Sequence, residues 1–246
     1  MSQQSRIQIE SDSESLALAA ARLLVNTAKQ SVRDRKVFTI AVSGGSTPKR
    51  LFEILADPTK PYFSELPWSA THFFWVDERH VPPGDKDSNY RMTREAMLSH
   101  VPVQAANIHR IISENPNAEA AAINYEGTLR TFFNGLPRFD LVILGLGEDG
   151  HTASIFPGSP VLHETKRLVA APRVEKLNTF RITLTLPVLN NGASIVFLVS
   201  GSSKAQILQE VLKSKSDPER LPAQAIQPTH GDLTWLADQP AASLLG

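Results

Sequence analysis

The sequence has no cysteine among its 246 residues. Disulfide bonds, thiolate metal sites and a cysteine nucleophile are therefore excluded. It also has no excess of charge, because 25 lysines and arginines balance 25 aspartates and glutamates, so no global positive field attracts nucleic acid. No apolar run reaches transmembrane length, and the amino-terminal MSQQSRIQIESDSES has no apolar signal region. These absences predict a cytoplasmic protein that binds neither nucleic acid nor membrane.

The chain also lacks the features that separate domains. It has no linker rich in glycine, serine or proline, no block of like charges and no internal repeat. Its length is sufficient for a sizeable hydrophobic core. We therefore expect residues 1–246 to form a single α/β domain, and we expect a monomer.

Short apolar runs alternate with helical patterns along the chain. Helices are predicted behind the capping-box spacing of Ser11 and Glu14, over about twenty residues, and at residues 49–56, 91–98, 118–133 and 205–212. This alternation favours a Rossmann-like α/β fold, with a mostly parallel sheet, helices on both faces and one crevice at the polar strand ends. The predicted strands are residues 37–42, 71–76, 141–144, 167–171, 179–184, 195–199 and 233–236.

The most informative stretch is residues 139–158, which read FDLVILGLGEDGHTASIFPG. Its aliphatic run is typical of a parallel strand buried on both faces, and polar residues follow at the carboxyl end, where α/β sheets bind ligands. His151 lies two residues after Asp149. Because imidazole titrates near neutral pH and a carboxylate fixes its tautomer, we predict that His151 is a general base oriented by Asp149.

The same stretch matches the G-x-G-x-x-G pattern of dinucleotide-binding folds from Gly145 to Gly150. A dinucleotide site needs a helix that opens directly after the last glycine. Here His151 follows, and Pro157 and Pro160 permit only a short helical turn. We therefore expect no dinucleotide cofactor.

A second polar strand end is the sequence SGGSTP at residues 43–48, between a predicted strand and a predicted helix. Ser46 or Thr47 is expected to cap the helix, and Pro48 to occupy its first position. The turn amides would then converge at the positive end of the helix dipole, which suits an anion such as phosphate. The residues expected to contact phosphate or sugar are Ser43, Gly44, Gly45 and Ser46.

Charged residues also stand near other predicted strand ends. The Arg79 guanidinium offers planar, paired donors suited to phosphate, and Asp77 is suited to sugar hydroxyls or to orienting that arginine. Lys204 begins a helix, where the dipole disfavours a cation unless a bound anion compensates; a lysine extended into solvent is the alternative. Arg181 lies on the polar face of an alternating strand, either facing solvent or contacting substrate.

Metal-ligand spacing is not evident. His80, His100 and His109 are not spaced as ligands, and the H-E-x-x-H arrangement does not occur. A serine nucleophile is also disfavoured, because the chain has no G-x-S-x-G elbow. We predict a site without metal or cofactor.

Four blocks together resemble the 6-phosphogluconolactonase family in the expected order. They are AVSGGSTPKRLFEIL, FFWVDERHVPPGDKDSNYRM, GLGEDGHTASIFPG and RITLTLPVLNNGASIVFLVSGSSK, spread over residues 41–204. The resemblance implies hydrolysis of 6-phosphogluconolactone to 6-phosphogluconate in the oxidative pentose phosphate pathway. It also implies a fold shared with glucosamine-6-phosphate deaminases, and it strengthens the expectation that Arg79, Arg181 and Lys204 bind phosphate.

Two other functions remain open on sequence alone. One is a glucosamine-6-phosphate deaminase and isomerase, because that related family has a similar G-x-D-G-H block. The residues after His151 and the arginine after the acids match the lactonase family better. The other is a sugar-phosphate sensor without catalysis, although no helix-turn-helix segment is evident.

Overall fold

The computed structural model describes residues 5–246. The strands are β1 (Arg6–Glu10), β2 (Phe38–Val42), β3 (Thr71–Trp75), β4 (Asp77–Arg79), β5 (Ile108–His109), β6 (Leu141–Gly145), β7 (Val169–Ala170), β8 (Arg173–Val174), β9 (Thr179–Leu184), β10 (Ser194–Val199) and β11 (Asp232–Asp238). The α-helices are α1 (Ser13–Arg35), α2 (Ser46–Ala56), α3 (Pro61–Glu65), α4 (Asn89–Thr93), α5 (Ala118–Phe133), α6 (Leu186–Leu189), α7 (Ala205–Lys213) and α8 (Gln239–Ala242). No helix within residues 5–246 combines the length and apolarity needed to cross a bilayer.

Short helical turns complete the described secondary structure. A π-helical turn, Arg94–Leu98, continues α4. The 3₁₀ turns are Trp68–Ala70, Ala105–Asn107, Pro160–His163, Glu175–Leu177, Ser202–Lys204 and Pro222–Ala225.

The main sheet has seven parallel strands in the order β1-β11-β10-β6-β2-β3-β5. After β2 the chain adds β3 and β5 on one side, and after β6 it adds β10 and β11 on the other. The strand order therefore reverses between β2 and β6, and their outgoing loops separate. In open α/β sheets this reversal leaves a crevice at the carboxyl ends of the two strands.

The predicted α/β class and mostly parallel sheet are confirmed. The helix predicted at residues 118–133 has the same bounds in the structure, and every strand of the prediction is present within a few residues. Strands β2 and β6 are apolar in nearly every position because both faces are covered, and each is buried along almost its whole length.

A second, antiparallel sheet was not predicted. It has the order β4-β9-β7, and β8 pairs with the first part of β9. Strand β9 was predicted, but its partners are only two or three residues long, which is too short for a periodic signal. Strand β1 was also missed because the polar amino-terminal segment conceals its two isoleucines.

Two predicted helix caps are wrong. Asp12, and not Ser11, caps α1, and its carboxylate accepts a hydrogen bond from the Ser15 amide at 2.7 Å. Helix α2 begins at Ser46 behind Gly45, which has a φ of 108° and provides no side-chain cap. Consequently the first-turn amides of α2 are not capped by a side chain of the turn itself.

Asp140 connects three elements at the base of the sheet. Its buried carboxylate accepts hydrogen bonds from the Thr39 amide at 2.8 Å and the Thr39 hydroxyl at 2.9 Å. Arg35, the last residue of α1, also donates to it. This arrangement fixes β2 beside the start of β6, where the parallel ladder pairs Ile40 with Leu141.

A pair of histidines lies among aromatic rings at the β5 edge of the sheet. Nδ1 of His72 is 3.1 Å from Nε2 of His109, and the His109 ring stacks on Phe74 with centres 4.3 Å apart. Partial burial, together with the neighbouring His72, lowers the pKa of His109 to about 4. Burial also lowers the pKa of His72. The folded protein therefore holds this pair neutral.

We expect this pair to make folding sensitive to mild acid. An unfolded histidine titrates near pH 6.5, so below that pH the unfolded chain binds protons that the folded chain resists, and stability falls as pH decreases towards 4. Urea unfolding at pH 7.5 and pH 5 should show a smaller loss for His109→Phe than for the parent. The exposed-site control His230→Gln should behave like the parent. An equal loss in all three proteins would contradict the assignment.

Candidate active site

Polar loops from several strands meet at the reversal point of the sheet. They surround a cavity of about 230 Å³ at the carboxyl ends of β2 and β6. The structure thus brings seven of the ten predicted site residues to the cavity wall, while Asp149, Arg181 and Ser46 are not part of that wall. The lining residues are Ser43, Gly44, Gly45, Asp77, Arg79, Asn89, Gly145, Leu146, Gly147, His151, Ala153 and Lys204.

His151 stands at the cavity wall with its ring held on two sides. Its Nδ1 contacts a carboxylate oxygen of Asp149, and the ring stacks on Phe156 with centres 4.2 Å apart. The Asp149 contact occupies Nδ1, so Nε2 is the nitrogen that can accept a proton from a molecule in the cavity. Backbone bonding supports the loop, because the Gly147 amide donates to the His151 carbonyl at 2.8 Å.

Lys176, which was not predicted as a site residue, also contacts Asp149 and Phe156. Lys176 donates to the second carboxylate oxygen of Asp149, and its Nζ lies 4.6 Å from the centre of the Phe156 ring. Partial burial alone would raise the pKa of Asp149. The hydrogen bonds from His151 and Lys176 outweigh burial and hold that pKa well below its usual range. Asp149 is therefore ionised at every pH at which the protein is expected to work.

The glycines after β6 allow the His151 ring to approach the backbone. A Cβ atom at Gly147 would lie 1.9 Å from His151 Nδ1, so any larger residue would displace the ring. Gly150 has a φ of 80° and packs against Leu221. Gly147 thus makes room for the His151 ring, and no helix opens directly after Gly150. Ala153, a non-glycine residue at φ 49°, follows in the same loop.

The turn after β2 presents an unsatisfied hydroxyl. Oγ of Ser43 is buried and has no hydrogen-bond partner among the described residues. The neighbouring Gly44 packs against Asn89 so closely that a Cβ would lie 1.8 Å from Asn89 Oδ1. A buried hydroxyl without a partner costs about 1–3 kcal/mol, and a ligand oxygen would recover part of that cost. Ser46 is exposed at the start of α2.

A buried carboxylate fixes the loop that carries Arg79. Glu78 accepts hydrogen bonds from the amides of Arg79, Asn89 and Tyr90 at 2.7–2.8 Å and from the Ser88 hydroxyl at 3.0 Å. Burial raises the pKa of Glu78, and the three amide hydrogen bonds oppose that effect. This network attaches the start of α4 to β4, so Arg79 has a defined position beside the cavity.

The Asp77 side chain forms hydrogen bonds with other residues of the protein. It is buried, and one carboxylate oxygen accepts from the Ser154 hydroxyl at 2.5 Å while the other lies 3.3 Å from Asn89 Nδ2. Asn89 Nδ2 also donates to the Asp77 carbonyl at 2.9 Å. Asp77 therefore joins the β6 loop to the β4 loop, which adds a positioning role to the sugar or arginine contact predicted for it.

Arg79 and Arg181 lie directly opposite each other on neighbouring antiparallel strands. The Arg79 guanidinium donates to the backbone oxygen of Asp87 at 2.5 Å and not to a carboxylate. Burial, followed by repulsion from Arg79, lowers the pKa of Arg181. Like charges in this position destabilise a sheet unless an anion binds between them. Arg181 is only partly exposed and lies beside Arg79, so it does not extend freely into solvent.

Lys204 approaches the cavity from the opposite side. It precedes α7, and its Nζ is 3.9 Å from a carboxylate oxygen of Glu148. Asp238, at the end of β11, holds the preceding turn by accepting from the Ser200 hydroxyl and from the Gly201 amide at 3.0 Å. The carboxyl-terminal residues, for which no role was predicted, therefore position Lys204.

Sequence reasoning missed Lys176, Phe156, Asn89 and Ser154. Three of these carry a local signal, since Ser154 and Phe156 lie within the HTASIFPG block and Asn89 lies in the DSNY turn. Lys176 lies in a short 3₁₀ turn between two strands, 27 residues from Asp149. Only the antiparallel pairing of β8 with β9 places that turn over the histidine loop, so no spacing in the sequence could have identified it.

Comparisons with known proteins, by sequence and by structure, find relatives of one family. Residues 11–235 match the family model described as glucosamine-6-phosphate isomerases/6-phosphogluconolactonase. A 6-phosphogluconolactonase of Synechocystis sp. is 44% identical over 220 residues, 88% of each chain, and one of Nostoc sp. is 37% identical over 97% of this chain and 98% of its own. A solved 6-phosphogluconolactonase from Trypanosoma brucei is 28% identical over the whole of both chains, with a TM-score of 0.85.

We expect Gly147→Ala to separate His151 from Asp149 without unfolding the chain. The added methyl group cannot coexist with the present ring position, while the backbone at Gly147 is not left-handed. The His151 imidazole resonances should shift in ¹H–¹⁵N correlation spectra at neutral pH. Gly127→Ala, in α5 with open space around it, should leave them unchanged. Unchanged resonances in both variants would contradict this view of the loop.

Proposed function

The chain belongs to the glucosamine-6-phosphate isomerase and 6-phosphogluconolactonase family, and on that premise we propose that it hydrolyses 6-phosphogluconolactone to 6-phosphogluconate. In this role it is a lactone hydrolase of the oxidative pentose phosphate pathway. The observation that carries the proposal is the His151–Asp149 pair, which faces a small cavity also lined by Arg79 and Lys204. A base and cationic side chains around one cavity suit the hydrolysis of a phosphorylated lactone.

The reaction begins with water activation. Nε2 of His151 removes a proton from a water molecule as its oxygen attacks the C1 carbonyl of the lactone, and a tetrahedral oxyanion forms. Asp149 keeps Nδ1 protonated, so that Nε2 accepts, and it stabilises the imidazolium that results. Backbone amides or a cation beside the cavity stabilise the oxyanion.

Ring opening completes the reaction. The tetrahedral intermediate collapses, the bond between C1 and the ring oxygen breaks, and the imidazolium returns its proton to that oxygen as general acid. One water is consumed and one carboxylic acid is formed, which ionises at neutral pH. His151 ends in its starting state, so no metal, cofactor or covalent intermediate is required.

Cations at and beside the cavity bind the phosphate. Arg79 and Lys204 line the cavity, and Arg181 lies opposite Arg79 on the neighbouring strand β9. The buried Ser43 hydroxyl and the amides of the following turn can donate to phosphate or sugar oxygens. Because the phosphate is remote from C1, its binding energy serves to position the carbonyl at His151. Ser46 is the weakest member of the predicted set, because it is exposed and does not line the cavity.

Lys176 helps to position the base. It donates to one carboxylate oxygen of Asp149 while the other oxygen contacts Nδ1 of His151, so the orienting carboxylate is held from both sides. Its position above Phe156 also restricts the ring on which His151 stacks.

The phosphate group of the substrate also indicates where in the cell the protein works. A phosphorylated lactone carries charge and does not cross a bilayer unaided, so its hydrolase must share the compartment in which it is made. We therefore retain the cytoplasm as the proposed location.

Deamination of glucosamine 6-phosphate is the second candidate, because the family description includes such isomerases. A direct assay distinguishes the two activities. The purified protein should release acid from fresh 6-phosphogluconolactone faster than the spontaneous rate, and it should release no ammonia from glucosamine 6-phosphate. Ammonia release without lactone hydrolysis would replace the proposal, and binding of either compound without turnover would indicate a sensor.

We expect His151→Ala to lose about 10²- to 10⁴-fold in kcat, which is the usual contribution of a general base. Acid release, corrected for spontaneous ring opening, measures this loss. His163→Ala removes an exposed histidine that pairs with Glu219 and serves as the control. If His151→Ala, folded by circular dichroism, retained the parent rate, the base would have to be another group.

The phosphate assignment predicts a loss that depends on the substrate. Arg79→Ala should raise KM for 6-phosphogluconolactone by about tenfold or more, since a hydrogen bond to a charged group contributes about 1.5–3 kcal/mol. The rate with unphosphorylated gluconolactone should not change. His151→Ala, in contrast, should impair both substrates. Equal effects of Arg79→Ala on the two lactones would show that Arg79 does not bind phosphate.

A further inference from the structure

Strand β1 forms one border of the seven-stranded sheet. It pairs with β11 on one side only, and no strand within residues 5–246 covers its other side. Its first four residues are exposed, and Ile7 and Ile9 remain 47% and 49% accessible. Natural proteins commonly protect such a border with proline, lysine, a bulge or a covering element. β1 contains no proline or lysine and keeps a regular register with β11 over all five residues.

The sequence of β1 is complementary to itself in the antiparallel direction. It reads Arg6-Ile7-Gln8-Ile9-Glu10. When two copies are placed antiparallel about Gln8, Arg6 of each lies opposite Glu10 of the other, Ile7 lies opposite Ile9, and the two glutamines face each other. Opposite charges and paired β-branched residues at directly opposed positions both stabilise antiparallel strands.

This register also allows the outward backbone N–H and C=O groups of the two copies to form hydrogen bonds with each other. On an edge strand, alternate residues direct their N–H and C=O groups outwards, away from the neighbouring strand. Arg6 and Glu10 are four positions apart and Ile7 and Ile9 are two positions apart, so the members of each pair face the same way along the strand. Residues that face outwards on one copy therefore meet residues that face outwards on the other. A parallel arrangement in register would instead place Arg6 against Arg6 and Glu10 against Glu10, which is repulsive.

One face of β1 is apolar and the other is polar, so the pairing would place isoleucines together on one face and charged residues together on the other. Ile7 and Ile9 are in register with Trp235 and Ala237 of β11, so they lie on the same face of the sheet as the buried Trp235. That face continues into a depression of about 430 Å³ of mixed polar and apolar lining, whose apolar walls include Leu212, Leu233 and Trp235. In the antiparallel register the four isoleucines of two copies form one cluster beside it.

The charged face carries Arg6, Gln8 and Glu10. At present the Gln8 amide donates to Glu10 at 2.7 Å within the chain. Arg6 forms no ion pair with any residue between 5 and 246. Pairing with a second copy would give Arg6 a carboxylate partner twice in each dimer.

From these observations we propose that β1 is a homodimer interface, in which two copies join edge to edge into one continuous sheet about a two-fold axis at Gln8. This departs from the monomer expected from sequence. Five residue pairs bury less than the roughly 1,200 Å² of a standard stable interface, so the dimer is weak and forms with increasing protein concentration. The site at the β2 and β6 ends is complete in each copy.

Charge exchange tests the register directly. Sedimentation velocity from low micromolar to submillimolar concentration should show reversible dimerisation of the parent. Arg6→Glu alone and Glu10→Arg alone should each be monomeric, because each places like charges opposite each other at both ends. The double variant Arg6→Glu/Glu10→Arg should regain the dimer. An equimolar mixture of the two single variants should also dimerise, because their charges are complementary.

Arg6 is exposed, Glu10 is half-buried, and neither residue lines the cavity. All variants should therefore keep the circular dichroism spectrum of the parent, which verifies folding. Added salt should weaken the parent dimer and relieve the repulsion in the single variants. A parent that stays monomeric over the whole range would overturn the proposal. So would a dimer that persists unchanged in both single variants, since it would have to use another surface.

Discussion

The parallel pairing of β2 with β6 is the constraint on which the rest of the molecule depends. These two strands are adjacent in space although about a hundred residues separate them in sequence, and Asp140 holds them together by bonding Thr39 and the end of α1. The chain leaves them in opposite directions, so two polar loops diverge from neighbouring strand ends. The cavity, the histidine loop and the glycine turn all exist because of this divergence.

Buried acids fix cations around that cavity. Glu78 and Asp77 do not form ion pairs with Arg79; they bond the amides and side chains that set its loop. Asp238 does the same for the turn before Lys204. Arg79 is consequently held in position without a carboxylate partner among the described residues, while Lys204 lies 3.9 Å from Glu148. With a formal net charge of zero, the protein has no general attraction for anions, and selectivity arises within the cavity.

Sequence patterns predicted most of the main sheet and most of the residues at the cavity because both rest on local rules. A buried run that ends in glycines and charges identifies a strand and its loop, and parallel strands bring such loops to one edge. The second sheet lies outside those rules, since β4, β7 and β8 are too short for periodicity. Lys176 was missed for the same reason, because the pairing of β8 with β9, and not a spacing in the sequence, brings it to Asp149. The predicted cap of α2 was wrong because Gly45, which has no side chain that could cap the helix, occupies the N-cap position.

The cavity also contains several features that do not favour folding. Ser43 buries a hydroxyl without a partner, Ala153 adopts a left-handed backbone, and Arg79 faces Arg181. Each is of a kind that costs on the order of 1 kcal/mol in an isolated fold. Engineering that selects only for heat resistance would therefore favour replacements at these positions. Such replacements would weaken substrate binding while the fold remained unchanged. A library screened for thermostability would drift towards well-folded proteins with no activity, unless turnover were selected at the same time.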